Sequence, residues 1–412
     1  MRLLFLTPQF PYPPHKGTTL RNYNLIAGLA ARHEIDLLSV HDSPEVPLGT
    51  PLDRLCRRMA VVTVPARSNV RRALDTLISP WPDMGLRLWS PQFLAQLQAW
   101  LSDGDYDAIE IEGIELARYG LMLPSPVAAS SQRGKGRGWG CLIFDDHNAE
   151  YLLQTRIAQT ERAARGWTPG AIYSTLQAQK LRHFERRIAQ QADRVVAVSD
   201  ADAAALRELD PALKIHVVPN GIDTALYDRA QVAPIDLPPH SLVFTGTMDF
   251  RPNVDAVLWF AREVLPLIKV DVPDAHFVIV GQRPHARLAE LRVDDSIVIT
   301  GGVEDTRPYI AGASVYVIPL RMGGGTRFKL LEALALHAPC VSTTLGAEGF
   351  EVVSGRELLL ADEAPSFARA TVELIRQPEQ GRALGAVGRS FAEKYDWRHI
   401  VPKLEQFIMH SS

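Results

Sequence analysis

The stretch ASVYVIPLRMGGGTRFKLLEALAL, residues 313–336, joins an apolar β-rich run to a segment of helical apolar spacing through three consecutive glycines. Ala313 to Leu320 predicts a buried strand and Phe328 to Leu336 an amphipathic helix, which puts Gly323, Gly324 and Gly325 at a strand-to-helix turn. Backbone amides without side chains, at a helix N-terminus, can face an anion. Arg327 and Lys329 add cations suited to phosphate oxygens, and Glu332 is an acceptor suited to sugar hydroxyls. The combination fits a nucleotide diphosphate. It is no Walker loop, because no Gly-Lys-Ser or Gly-Lys-Thr follows, and it lacks the dinucleotide-binding spacing.

Outward from this loop, short β-rich runs alternate with helical stretches, the pattern of parallel sheets covered by helices. Two sets are visible. Leu3–Thr7, Ile35–Val40, Ala60–Val64, Ala108–Ile111, Cys141–Asp145 and Arg194–Val198 form the first, with a helix expected at Arg21 to Arg32. Ser241–Thr245, Ala275–Val280, Ser296–Thr300, Ala313–Leu320 and Ala338–Thr343 form the second. A proline-rich polar stretch between them places a hinge at about residues 218–240.

The 412 residues, 46% hydrophobic, are enough for two or three full cores. A formal net charge of −3 gives no overall attraction to nucleic acid, and no nucleic-acid partner is expected. Cys56, Cys141 and Cys340 form no CxxC pair, so neither a disulfide framework nor a zinc site is suggested, and a reduced cytoplasmic setting fits. No apolar run reaches the roughly 18 residues that a spanning helix needs. The region from Glu150 to Gln191 carries Arg156, Arg162, Arg165, Arg182, Arg186 and Arg187, either as a solvated face or as a peripheral contact with an anionic lipid surface at the inner membrane face. The basic loop Gln132 to Gly138 reads as solvated.

Val218-Pro219-Asn220-Gly221-Ile222-Asp223, Thr245-Gly246-Thr247-Met248, Val280-Gly281, Gly302-Val303 and the Gly323 to Glu332 loop, in that order, resemble family 4 glycosyltransferases of the GT-B fold. The resemblance implies two Rossmann-like, doubly wound parallel-sheet α/β domains facing across a cleft. An acceptor-binding domain would span residues 1–220 with a closing helix from about 393 to 412, and a donor-binding domain residues 221–392. It also implies a nucleotide-sugar donor, a glycan or lipid-linked acceptor, transfer with retention of configuration, and neither cofactor nor metal. Surface polysaccharide or glycolipid synthesis is the implied pathway.

By position, Glu332 matches the family carboxylate on the donor ribose. Gly324 stands where the familiar E-x7-E motif has its first glutamate, so that role is vacant or falls to the amides of Gly324, Gly325 and Thr326. The usual Gly-Arg with a downstream Lys is replaced by Gly246-Thr247 through Arg251-Pro252-Asn253, leaving Arg327 and Lys329, with Arg251 behind them, to supply cations. Gly17 corresponds to the glycine loop after the first strand, and Arg21 on the next helix is expected to meet an anionic group. His147, in Asp145-Asp146-His147-Asn148-Ala149-Glu150, stands where the family places an active-site histidine; Glu112, Asn148 and Glu150 are candidates for hydroxyl contacts. His147, Arg327 and Lys329 are thus the expected catalytic groups.

Asp103-Gly104-Asp105, Asp105-Tyr106-Asp107 and Asp200-Ala201-Asp202 formally match the Asp-x-Asp of metal-dependent transferases, but the first two overlap in a polar turn and Ser199-Asp200 reads as a helix cap. The missing glycine fingerprint after the first strand argues against a nicotinamide dehydrogenase. A sugar-nucleotide 2-epimerase of similar plan and a non-catalytic nucleotide-sugar-binding protein remain as alternatives.

Overall fold

The computed structural model describes residues 1–14, 17–123, 139–325 and 327–409. His15, Lys16, Thr326, the loop Gln132 to Gly138 and the side chain of Arg165 lie outside the described residues. By internal contacts the chain divides into Met1–Pro219 joined by the C-terminal residues from Ile400, and Asn220–His399. Glu393 to His399, expected from sequence in the first domain, therefore pack with the second. Ile222 bridges Asp396 there, and the Asp396 carboxylate accepts from the Thr224 amide at 3.2 Å.

In the first unit β1 (Arg2–Thr7), β2 (Glu34–Val40), β3 (Cys56–Val62), β4 (Tyr106–Glu112), β5 (Trp139–Asp146), β6 (Arg194–Ala197) and β7 (Ile215–Val217) pair in the order β3-β2-β1-β4-β5-β6-β7. Every pairing is parallel. Chain order reverses between β1 and β4, so the carboxyl ends of these strands flank a crevice of the kind where open α/β sheets bind ligands. Leu4, Leu6, Ile109, Ile111, Leu142 and Phe144 are fully buried in the core beneath. The near-continuous burial of β1, β4 and β5 is what a sheet covered on both faces demands.

The Arg-rich region forms two helices, Glu150–Arg165 and Pro169–Gln191. Gly166 ends the first at φ 70°, and Thr168 caps the second by accepting from the Ala171 amide, with Pro169 at the helix start. The helix Trp397–Met409 closes the first unit with its later turns: Glu405 accepts from His33 Nε2 at 2.8 Å, and Phe407 stacks on His216 with ring centres 4.6 Å apart.

The second unit holds β8 (Ser241–Thr245), β9 (His276–Val280), β10 (Ile297–Gly301), β11 (Val315–Ile318), β12 (Cys340–Ser342) and β13 (Leu359–Leu360) in the order β10-β9-β8-β11-β12-β13, again all parallel. Here the reversal falls between β8 and β11, and the glycine loop leaves the carboxyl end of β11. β7 and β13 have no counterpart among the expected strands, and β3 starts at Cys56 rather than Ala60. Runs of two or three residues carry no readable alternation.

Candidate functional site

In the second unit the loop from Leu320 runs into the helix Phe328–Ala335. Gly323 (φ 102°) and Gly325 (φ 83°) occupy the left-handed region that favours glycine. Arg327, 7% exposed, turns back beneath them: Nη1 donates to the Gly324 carbonyl at 2.9 Å and Nε to the Leu345 carbonyl at 3.3 Å, with Glu348 3.6 Å from Nη2. These bonds make Arg327 a brace for the loop.

Lys329 is the cation that reaches the carboxyl end of β8. Its Nζ donates to the Thr245 carbonyl and to Asn253 Oδ1, each at 3.0 Å, and lies 4.1 Å from the centre of the Phe244 ring. Burial first, then the neighbouring Arg327 charge, push the ammonium down to about 7. Gly246 is required beside it: a Cβ there would stand 2.7 Å from Asn253 Nδ2 and 3.2 Å from Lys329 Nζ. One turn on, Glu332 Oε1 accepts from the Tyr227 hydroxyl at 3.1 Å. Burial raises the Glu332 carboxyl, while the Tyr227 bond and Lys329 oppose the rise. Arg251, exposed, begins the helix Arg251–Trp259 after the Gly246 turn. Gly246, Gly324, Gly325, Lys329 and Glu332 thus gather at one switch point, and Tyr227, Asn253 and Glu348 join them without having been singled out in the sequence.

The first unit assembles a different group at its own switch point. Glu112 ends β4, Asp145 and Asp146 end β5, and His147 follows. His147 Nε2 and Glu112 Oε2 are 2.7 Å apart. Asn22, with its amide oriented to satisfy both groups, donates to the Thr18 carbonyl at 3.2 Å and to Glu112 Oε2 at 2.8 Å. Glu110, one pleat back on the same face of β4, is buried with both carboxylate oxygens lacking a partner among the described residues, as are Glu112 Oε1 and Asp145 Oδ1. Burial and the neighbouring carboxylates raise Glu110 and Glu112. His147 is raised as well: burial opposes its charge, but the Glu112 bond and the Asp145 charge outweigh that.

Arg21 answers this negative charge: the anionic group it meets is the protein's own Asp145. Arg21 is 1% exposed; Nη2 and Nε donate to Asp145 Oδ2 at 2.6 and 3.1 Å, and Nη1 donates to the carbonyls of Val218 (3.0 Å) and Pro219 (3.3 Å). Asn148 and Glu150 form an adjoining pair, Nδ2 donating to Oε1 at 3.2 Å, and burial with the Glu115 charge pushes Glu150 up to about 7. Gly17, exposed, opens the helix Gly17–Leu29. Donor atoms of Glu112, Asp145 and His147 lie within 4.8 Å of one another, a spacing that admits a cation, with Arg21 already holding one of the carboxylates.

The formal Asp-x-Asp matches are spent on structure. Ser199 caps the helix Asp200–Leu209 by accepting from the Asp202 amide, Asp202 Oδ1 accepts from the Ala149 amide at 3.1 Å, and Asp107 Oδ2 accepts from the Arg2 amide at 2.7 Å. Among the described residues, no helix is long and apolar enough to cross a membrane.

Comparison with known proteins agrees with this architecture. Residues 16–221 match the glycosyl transferase 4-like domain and residues 239–377 the glycosyl transferases group 1 model. Alpha-maltose-1-phosphate synthase of Mycolicibacterium smegmatis is 27% identical over 251 residues, 52% of this chain and 62% of that protein. Matches to the curated relatives span about half their length. Among solved structures, sucrose-phosphate synthase from Thermosynechococcus elongatus superposes with a TM-score of 0.70 at 18% identity over 99% of this chain and 98% of that one. Anabaena HepE in complex with UDP-glucose gives 0.65 at 15% identity, covering 99% of each chain. These likenesses show the GT-B fold.

Proposed function

The chain belongs to the group 1, 4-like glycosyltransferases, and from that premise we propose that it moves a sugar from a nucleotide diphosphate sugar to a hydroxyl acceptor with retention of configuration. The observation that carries the reading is the convergence of the glycine loop, Lys329 and Glu332 at the β8/β11 switch point. It has the parts that a diphosphate leaving group needs.

The loop amides and Lys329 would hold the diphosphate, with Arg327 keeping the loop in shape. Fixed donors aimed at developing charge lower the barrier to its departure without reorganising. Lys329, pushed down to about 7 by burial, would be held fully protonated against phosphate charge. Glu332, steadied by Tyr227 on one oxygen, would keep the other for ribose hydroxyls. The acceptor hydroxyl approaches the face that the leaving group vacates, and the departing phosphate oxygen takes its proton, so the step requires neither a side-chain base nor a metal. His147, held by Glu112, would bind sugar or acceptor hydroxyls. A cytoplasmic place and a surface glycan or glycolipid product accompany this reading.

A thermal-shift panel of UDP, GDP, ADP and their common sugars tests it, on the wild type and on Glu332→Ala and Lys329→Ala. Stabilisation by one nucleotide class, reduced in both variants, is expected. No shift with any of them would leave the loop as structure alone. Gly324, standing where a glutamate is usual, favours one second reading, a protein that binds the donor without turnover. Transfer or hydrolysis of the bound donor rules that out.

A further inference from the structure

The helix Asn69–Ile78 in the first unit is amphipathic in the inverted sense. Its inward face is polar: Asp75 and Thr76 are buried, Asp75 pairs with Arg67 at 2.9 Å, and Thr76 Oγ1 accepts from Gln177 Nε2 at 3.0 Å. Its outward face is aliphatic. Val70, Leu74, Leu77 and Ile78, at i, i+4, i+7 and i+8, are 80%, 46%, 76% and 68% exposed, a continuous stripe along the helix. Leaving such a stripe in water forgoes the stabilisation that burying four aliphatic side chains would give.

The helix is held in place independently of that stripe. Ser68 caps it by accepting from the Arg71 amide at 3.2 Å, and Lys180 Nζ donates to the carbonyls of Thr76 and Ser79 at its far end. Arg71 and Arg72, whose side chains are 64% and 40% exposed, pair with the buried Asp75 at 3.1 Å and Asp83 at 2.9 Å, and with Arg67 and Arg87 on the same two acids the cations outnumber the carboxylates. Just beyond Ile78, Trp81 has Arg118 and Arg187 at 5.1 and 5.2 Å from its ring centre. An aliphatic stripe on a convex helix, flanked by arginines and an aromatic ring, matches the layering of a bilayer surface: acyl chains beneath, anionic headgroups at the rim.

We propose that the helix Asn69–Ile78 is an interfacial anchor that lays Val70, Leu74, Leu77 and Ile78 into an anionic lipid bilayer. This is a different element from the Arg-rich helices that the sequence brought forward. The proposal does not rest on the sugar-transfer reading.

Co-sedimentation with vesicles of phosphatidylcholine, with and without phosphatidylglycerol, tests it directly. Wild type is expected to pellet with the anionic vesicles. Leu77→Ser with Ile78→Ser, both at exposed positions, is expected to lower partitioning about tenfold or more, and Arg71→Glu to lower it less and in a salt-dependent way. An unchanged nucleotide-induced thermal shift in these variants would show that the fold and the donor site survive. Failure of the wild type to bind anionic vesicles, or equal binding by the double variant, overturns the proposal. So does a wild-type dimer in light scattering that the double variant dissolves, since the stripe would then be an interface between copies.

Discussion

The two switch points are built alike from strand ends and oppositely in charge. At the β8/β11 crevice Lys329 is pushed toward neutrality, Arg327 is paired with Glu348, and Glu332 is tied to a tyrosine, so opposite charges largely offset one another. At the β1/β4 crevice Glu110, Glu112 and Asp145 crowd about Arg21. On the proposed reading, an incoming phosphate would be favoured at the first arrangement and disfavoured at the second, so the same scaffold would direct an anionic ligand to one unit and leave hydroxyl contacts to the other.

The largest effect is expected from removing the cation of the acidic cluster. Arg21→Ala leaves Asp145 buried and unpaired, a loss of about 3–5 kcal/mol in stability by chemical denaturation. A near-neutral result would mean that the carboxylates are already protonated and that the contrast between the crevices is weaker than drawn. Lys329→Met, by contrast, should leave the apo fold intact and weaken binding of the nucleotide diphosphate about 10- to 100-fold by calorimetry, the scale of a lost charged hydrogen bond. Equal affinity would move the phosphate site off this loop.

The pH responses should run in opposite directions. Glu150 sits at about 7, above its unfolded value of 4.5, so between these limits the folded chain holds a proton that the unfolded chain has lost. Its contribution is present at low pH and fades as pH rises through 7. Lys329 is at about 7 against 10.5 unfolded, so between those values the unfolded chain holds the extra proton and stability climbs with pH. Hydrogen exchange of β4 and β5 against β8 and β11, from pH 5 to 9, reads the two separately. Parallel trends would break the comparison. The smallest effect is expected of Tyr227→Phe, about 1 kcal/mol or roughly fivefold in donor affinity, with Glu332 left free to turn.

Apart from β7 and β13, the strands were legible because apolar β-branched runs of four to eight residues between turn residues have few other readings. The glycine loop was legible for the same local reason. What could not be read was partnership across distance. Arg21 was expected to meet an anionic group, but that the group is Asp145 could not be read, because Asp145 lies 124 residues away and only the sheet order brings them together. Tyr227 and Asn253 carry no motif and matter through contacts 105 and 76 residues away in sequence. Glu110 did leave a signal: Glu110-x-Glu112 puts two acids on one face of a largely apolar strand, which calls for a charge partner.

The closing helix has a consequence for the order of biosynthesis. The second unit is contiguous, and its last residue, His399, is joined to the chain before the turns that complete the first unit. The first unit, begun earliest, still lacks the turns that carry Val401, which fills the space above Gly28, and Glu405, which meets His33. The chain therefore holds every residue of the later half before it holds every residue of the earlier one, and in a released fragment ending at residue 399 proteolysis should find the later half resistant while the earlier half is cleaved. Translation finishes the two halves in the reverse of the order in which it starts them.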